Sequence, residues 1–438
     1  MRTIRISSDD IYKYDFNILD DASIVENDGA HYLKVDNGYY KINETGVIIF
    51  SHLKSNRTIA CIIDEIEKQY NICKEKLVAD VYGFLKGLYK HKVLGAYCNR
   101  EKVNIPSWEI DALKTVQIIL TEKCNIRCRH CLLPSYSNQI LSSNDYKTIF
   151  EQLYLHGNEF VNFSGGEPFV RKDVIDIFKE AVKSGIDYGF NTNGTLIDHE
   201  KVNKLKEIPP KDISISLYGH NEKLHEILTR SEGSFKKTLN AITLFLNAGF
   251  SVTIKTMVTK YNVKQINSIA KFARGIGVEK IVFDSTIFRK NNGSETPLQY
   301  RVDDSDLQYF ENSKYGKRRA YKPRKTDSLI CNAGVTRIAI DSDGTVFPCS
   351  IFRLPIGNIK RQSLNNIFKE SEELHKYLQY RVRDLPKDCL NCNGLNYCKI
   401  CPGLSYNEHK DYTRKYEYEC LRTKIKLEHD VKHVSDDI

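Results

Sequence analysis

Apolar residues recur along this chain with two different periods, and the change between them divides it. Near the start, HYLKV and GYYKIN alternate apolar and polar positions around a DNG turn, the pattern of a β-hairpin. Three segments follow, TGVIIFSHL, TIACIIDEIEKQY and KEKLVADVYGFLKGLYK. Their 3.6-residue spacing predicts amphipathic helices. A sheet followed by three helices makes a small domain over residues 1–105, and IPSWEID (Ile105–Asp111) reads as a linker. From Val116 the pattern becomes a regular alternation. VQIIL, FVNFS, YGFNT, DISISL, SVTIKTMV and KIVFD have the look of strands, and segments such as VIDIFKEAVKSG and FKKTLNAITLFLNAG lie between them as helices. Such repeats build a parallel sheet with right-handed crossovers. Six units in about 170 residues fit an α/β fold with a partial (β/α)6 barrel, since a closed eight-unit barrel takes about 250. The barrel is placed at 112–290, a linker at 291–330, a cysteine-rich domain at 331–425 and a tail at 426–438.

A chain of 438 residues suits two or three domains. Its net charge of +9 is a mild basic excess. It lacks the dense basic stripe of a nucleic-acid binder, so no nucleic-acid partner is expected. The N-terminal residues contain no apolar core of a secretory signal, and no uncharged apolar run is long enough to span a bilayer. A cytoplasmic protein with no membrane association is expected. The basic stretch SKYGKRRAYKPRK (313–325) is either a solvated linker or a dock for an acidic peptide. The thirteen cysteines change the picture most. Without an export signal they point to metal sites or catalysis rather than disulfides. Cys61 and Cys73 lie among apolar neighbours and are expected in a core.

Three cysteines sit directly after the first barrel strand, in LTEKCNIRCRHCLLPS: Cys124, Cys128 and Cys131. A [4Fe–4S] cluster takes four thiolates. Three supplied locally leave one iron open to another ligand. Zinc is the weaker reading, because His130, adjacent to Cys131, is poorly placed to complete a tetrahedron with it. The segment resembles the motif of the radical S-adenosylmethionine (SAM) superfamily, with His130 at the usual aromatic place. Gly165, Gly166, Glu167 and Pro168 match that family's GGEP motif. The resemblance implies that this turn's backbone and Glu167 bind the SAM amino group. Glycines there would let the backbone approach a ligand. At the ends of the third and fourth strands, Asn193 and Ser216 are candidates for the ribose and carboxylate of SAM. Arg230 is a candidate for the carboxylate, which a guanidinium suits.

The remaining cysteines run Cys331, Cys349, then Cys389, Cys392, Cys398, Cys401, and finally Cys420. A zinc ribbon separates its two CxxC pairs by roughly a dozen or more residues, against five here. The set resembles the SPASM domain found on radical SAM enzymes that modify peptides. One interval departs from that pattern: two residues, Lys399 and Ile400, separate Cys398 from Cys401 where the family usually has three. The resemblance implies one auxiliary cluster on Cys331, Cys349 and Cys401 and another on Cys389, Cys392, Cys398 and Cys420, three [4Fe–4S] clusters in all. Eight thiolates would complete two auxiliary clusters and seven are present. The first auxiliary cluster is therefore either open to a substrate cysteine or completed by some other ligand.

The N-terminal segment, with "IN-TG" at a helix start, is similar to the PqqD-like recognition domain of peptide-modifying systems, a small winged helix. This implies binding of the leader of a ribosomally made precursor peptide by strand addition. Together the three resemblances cover nearly the whole chain. They imply a maturase that generates a 5′-deoxyadenosyl radical from SAM, abstracts hydrogen from a peptide and closes an intrapeptide thioether, with a reductant such as flavodoxin or ferredoxin. A carbon–carbon crosslink is one alternative. Formylglycine formation in sulfatases is another, although such enzymes place Asp where this chain has Ser350. A peptide-binding iron–sulfur or zinc scaffold without catalysis is a third. No P-loop or serine triad is present.

Overall fold

The computed structural model describes residues 3–436 apart from 6–10, 13–14, 19–21, 28, 36–37, 71, 91–92, 99–100, 108–112, 134–140, 159 and 317–323. The chain divides into two units, Met1–Ala112 with Leu155–Gly157, and Leu113–Tyr154 with Asn158–Ile438. In the first, Ser23–Asn27, Ala30–Val35 and Gly38–Ile42 form an antiparallel sheet. Helices Glu44–Lys54, Ile59–Tyr70 and Lys74–Lys90 follow. Asn43 caps the first of these, accepting from the Gly46 amide at 2.8 Å. Ile59, Ile62, Ile63 and Ile66 are buried along one stripe of the second. Cys61 lies off that stripe and is exposed, as is Cys73, so neither is the core residue expected. The expected linker begins instead as a strand: Glu101–Ser107 pairs antiparallel with Leu94–Cys98 and parallel with Thr3–Arg5. Pro106 falls where the register with Thr3–Arg5 shifts, so its missing amide hydrogen interrupts no regular ladder. Residues 108–111 of that linker lie outside the described residues.

The second unit carries β1 (Thr115–Thr121), β2 (Phe160–Gly165), β3 (Asp187–Thr192), β4 (Asp212–Ser216), β5 (Val252–Met257) and β6 (Lys280–Asp284). They lie side by side in sequence order and every neighbouring pair is parallel. Between them run α1 (Ser143–Leu155), α2 (Val174–Lys183), α3 (His199–Glu207), α4 (Glu222–Thr229), α5 (Ser234–Asn247) and α6 (Ile266–Gly275). This is the α/β partial barrel that the alternation implied. Its core is aromatic on the β2–β3 side. Phe163, Tyr188 and Phe190 pack on Phe178 of α2 with ring centroids 4.9, 4.7 and 5.6 Å away. Offset and tilted contacts of this kind add to the area they bury.

The strand–helix count did not foresee what covers the free side of β1. There β7 (Arg337–Ile340) pairs parallel, Ile338 opposite Val116. It is followed antiparallel by β8 (Thr345–Phe347) and β9 (Gly357–Asn358). Gly344, at φ +88°, makes the turn between β7 and β8. The cysteine-rich domain therefore extends the barrel's own sheet, satisfying amides that an open edge would leave unpaired. The expected linker at 291–330 contains a packed helix, α7 (Asp304–Asn312). Its Leu307 and Phe310 are buried with Val263, Ile266 and Ile269. The basic stretch 313–325 falls mostly outside the described residues. Beyond β9 lie α8 (Leu364–Glu370), α9 (Glu372–Gln379), α10 (Lys387–Leu390), α11 (Pro402–His409) and α12 (Glu417–Asp436), and α12 runs straight through the expected boundary at 425/426. Among the described residues, no helix is long and apolar enough to cross a membrane.

A buried charge cluster joins α12 to α7. Arg422 Nε donates to Glu311 Oε1 at 2.7 Å, and the two side chains are 1% and 0% exposed. Glu419 and Lys426 complete a set of two cations and two anions. Removing one member of such a set strands a charge away from water. The variant Arg422→Met is expected to lose about 3–5 kcal/mol in urea unfolding. The double variant Arg422→Met/Glu311→Met, which removes one charge of each sign, is expected to recover most of that loss.

Candidate active site

The loop after β1 carries Cys124, Cys128 and Cys131, and the turn after β2 pins its entry. Gly166 N donates to the Thr121 carbonyl at 2.8 Å and Glu167 N to the Lys123 carbonyl at 2.9 Å. A Cβ on Gly165 would fall 2.2 Å from the Thr121 oxygen, and one on Gly166 2.2 Å from the Lys123 oxygen. The space a side chain would take at these two positions is filled by the backbone of the cysteine loop, and both glycines also border the cavity described below. Glycine is required here for backbone-on-backbone packing.

Glu167 is fully buried. Its Oε1 accepts from Phe169 N at 3.1 Å and Thr192 Oγ1 at 2.8 Å, and its Oε2 from Asn193 N at 2.7 Å. Burial pushes the carboxyl up to about 7, and the three donors pull against that rise. The side chain ties β2 to the end of β3 and does not line the cavity described below. Pro168 is buried at the start of the short helical turn Pro168–Val170.

Asn193 links this carboxylate to the cysteines. Its Nδ2 donates to Asn125 Oδ1 at 2.9 Å and to Cys124 Sγ at 3.8 Å. Its own carbonyl accepts from Thr238 Oγ1 at 2.8 Å. Beyond Ser216, Tyr218 is buried, with its hydroxyl close enough to Ser216 and Cys128 for both to act on its ionisation, which burial raises. The Tyr218 backbone is held by His225 Nδ1 at 3.2 Å and Asn262 Nδ2 at 3.0 Å. Its ring meets His130 edge-on at 4.7 Å. Burial holds the His130 imidazole down to about 4, hence neutral, and its Nδ1 has no hydrogen-bond partner among the described residues. Burial pushes the Cys124 thiol up to about 11 and raises Cys128 and Cys131 as well. Three half-buried thiols gathered on one loop suit a ligand set that coordinated iron would ionise.

Cys124, Cys128, Cys131, Gly165, Gly166, Asn193 and Ser216 all open on one cavity of about 400 Å³. It lies at the C-terminal ends of the strands, where such barrels keep their chemistry. Arg230 does not line it. That residue is exposed and ends α4 in the left-handed conformation, φ 55°. Three cations missing from the sequence reading do line it: Lys255, Arg289 and Arg353. Arg353 pairs with Asp341, and Arg289 with Glu295 at 2.7 Å. Lys255 of β5 donates to Asn191 Oδ1 at 2.7 Å, and burial lowers its pKa. A lysine inside the apolar run SVTIKTMV was the signal available for it.

The cysteine-rich domain supplies the opposite wall through Ser350, Ile351, Arg353 and Asn407. Asn407 accepts from Arg289 N at 3.0 Å, which fastens α11 to the loop after β6. Cys331, Cys349 and Cys401 come together, each close enough for its charge to act on the others. Cys389, Cys392, Cys398 and Cys420 line a separate cavity of about 270 Å³. Burial pushes Cys398 and Cys401 up to about 12. Among the described residues, no three His, Cys, Asp or Glu side chains converge on a point for a single metal ion. A cluster needs its thiolates spread over separate irons instead.

Residues 118–273 match the radical SAM superfamily, and residues 331–393 match SPASM, an iron–sulfur cluster-binding domain. Residues 24–94 match PqqD, coenzyme PQQ synthesis protein D. The chain is a radical SAM/SPASM enzyme with a PqqD domain. Among curated relatives of this radical SAM enzyme, the AdoMet-dependent heme synthase of Methanosarcina barkeri is 26% identical, over 68% of this chain and 94% of that protein. The antilisterial bacteriocin subtilosin biosynthesis protein AlbA of Bacillus subtilis is 26% identical, over 86% and 87%. Among solved structures, Streptococcus suis SuiB bound to precursor peptide SuiA has a TM-score of 0.59 at 16% identity, covering 92% of this chain and 99% of that one. Native anSMEcpe with bound AdoMet has a TM-score of 0.56 at 19% identity, covering 74% and 98%. The radical SAM and SPASM domains imply SAM and [4Fe–4S] clusters as cofactors.

Glu167→Gln puts an amide where three donors require oxygen. A loss of about 1–3 kcal/mol in urea unfolding is expected, with weaker SAM binding in equilibrium dialysis. Unchanged values in both would remove Glu167 from the support of the site.

Proposed function

We propose that this radical SAM/SPASM enzyme matures a ribosomally made precursor peptide in the cytoplasm by closing an intrapeptide thioether. Cys124, Cys128 and Cys131 would hold the cluster that binds SAM. Cys331, Cys349 and Cys401, and separately Cys389, Cys392, Cys398 and Cys420, would hold two auxiliary clusters. When bound, these groups supply the electron that cleaves SAM, the 5′-deoxyadenosyl radical that takes a peptide hydrogen, and a sink for the electron released as the new bond closes.

The observation that carries this reading is the shared cavity. Cys124, Cys128 and Cys131 form one side of it, and Ser350 and Ile351, next in sequence to Cys349, form another. A peptide loop seated there lies between the first cluster site and the first auxiliary site. Three thiols at the latter leave an iron position that a peptide cysteine could fill. Asn193 and Ser216, which line this cavity, would receive the polar groups of SAM. Lys255 and Asn191 give the chamber a polar side that orients the substrate. The aromatic and aliphatic surround limits water, which is the protein's main contribution when a cofactor carries the chemistry.

The PqqD domain supports a leader-bearing peptide as the substrate. So do a neighbour solved with its precursor peptide, SuiB with SuiA, and a relative named for bacteriocin biosynthesis. Strand addition to an edge of the small sheet is the physical mode proposed. The electron donor proposed is flavodoxin or ferredoxin.

Anaerobic protein reconstituted with iron and sulfide, given SAM and dithionite, is expected to release 5′-deoxyadenosine. The variant Cys124→Ala/Cys128→Ala/Cys131→Ala is expected to release none. A precursor encoded beside this gene is expected to lose two hydrogens and one alkylatable thiol. A product that retains every thiol would exclude the thioether, and absence of 5′-deoxyadenosine from iron-loaded protein would exclude the radical reaction.

A further inference from the structure

The first auxiliary site contains a polar group that the reaction described above does not use. Tyr377, on α9, is 1% exposed and among the largest fully buried side chains. Its ring is held edge-on against Phe352 at 4.9 Å and Tyr412 at 5.6 Å. Its hydroxyl lies 3.2 Å from Cys331 Sγ. Phe352 and Tyr412 pack against its ring, and a phenylalanine would satisfy those ring contacts equally well. A buried hydroxyl is costly unless it has a partner. Here the partner is the sulfur of a residue assigned to iron.

The chemistry of iron ligation defines which way the hydrogen bond runs. A cysteine that binds iron does so as a thiolate, which can accept and cannot donate. The Tyr377 hydroxyl, 3.2 Å from that sulfur, is then the donor of the pair. Hydrogen bonds to ligand sulfurs are one of the levers that set the potential of an iron–sulfur cluster. A donor draws charge off the sulfur and so favours the reduced, more negative cluster.

We infer that Tyr377 is a positioning residue of the first auxiliary site, donating its hydroxyl proton to Cys331 Sγ and raising the reduction potential of the cluster held there. This rests on the assignment of Cys331, Cys349 and Cys401 to that cluster. Tyr377 acts through Cys331 and does not bind iron. Phe352 N, which donates to Cys349 Sγ at 3.3 Å, acts on a second sulfur of the same site through the backbone, which a side-chain substitution leaves in place.

The test uses the full chain carrying Cys124→Ala, Cys128→Ala and Cys131→Ala, so that only auxiliary clusters contribute spectra. Iron and sulfide content and an EPR-monitored redox titration are compared with and without Tyr377→Phe. Tyr412→Phe, in the same aromatic cluster, serves as the packing control. Tyr377→Phe is expected to keep its iron and move one of the two auxiliary signals to lower potential. A shift of 59 mV for one electron corresponds to a tenfold lower reduced-to-oxidised ratio at fixed ambient potential. Tyr412→Phe is expected to leave both signals in place. An unmoved potential in Tyr377→Phe would overturn the inference, as would an equal shift in Tyr412→Phe. Loss of one cluster's iron, or of a phenolate-to-iron absorption band, would overturn it in favour of Tyr377 as a ligand. If the parent chain itself holds no auxiliary cluster, the cluster assignment fails first, and that result is read before any Tyr377 comparison.

Discussion

The cysteine loop after β1 is held by its neighbours more than by its own backbone, and the strongest of these constraints runs through Glu167. A carboxylate removed from water has to find a donor for each oxygen. Glu167 finds them on both sides of a strand boundary, at Phe169 just beyond β2 and at Thr192 and Asn193 where β3 ends. Satisfying that group fixes the two strand ends relative to one another. Asn193 then presents its amide to Asn125 and Cys124. The glycine turn closes the circuit by bonding back to Thr121 and Lys123, immediately ahead of Cys124. The position of the first cysteine is thus a consequence of how one buried charge is accommodated.

The opposite wall of the cavity depends on a different arrangement. β7 joins the free side of β1, so the cysteine-rich domain begins as part of the barrel's sheet. At the far end, Arg301 reaches Glu408 of α11 and Tyr416, while Arg422 of α12 meets Glu311 of α7. Cys401 directly precedes α11 and Cys420 lies within α12. Each of these cysteines is therefore close in sequence to a residue bound by charge to the barrel or its α7 extension. Charged pairs of this kind do not add much net stability over apolar packing, but a shifted register would leave them unpaired at high cost. That penalty suits contacts that must hold thiols from distant parts of the chain at fixed places.

Much of this was legible in the sequence, because strand–helix alternation and the spacing of Cys124, Cys128 and Cys131 are local properties. The roles of single polar residues were less so. Glu167 stands in a motif that suggested ligand binding, yet its side chain turns inward, because the donors at Thr192 and Asn193 are distant in sequence and meet it only in the folded sheet. Arg230 has the right chemistry for a carboxylate, but as the residue ending α4 it is exposed outside the cavity. Lys255 was hidden by the reverse effect: its neighbours Ile254 and Thr256 are buried, and the run scored as a strand core. The helix α7 was read as linker because its buried residues, Leu307 and Phe310, are too few to make a clear stripe.

The two sets of cysteines proposed for auxiliary clusters also differ in surroundings, and the difference bears on what each could do. Cys331, Cys349 and Cys401 are partly buried against Phe352 and Tyr377, on the side of the domain that forms the cavity wall. In the other set, Cys392 and Cys420 are exposed, and Lys415 and Lys424 border their cavity. Solvent exposure and hydrogen bonding are separate levers on a cluster's potential. The outer site has water available to it. The inner set is half-buried, and fixed groups, the Tyr377 hydroxyl and the Phe352 amide, lie against two of its sulfurs. On the proposed assignment, a tyrosine hydroxyl held among aromatic rings would act on a cluster through its ligand sulfur rather than through solvent.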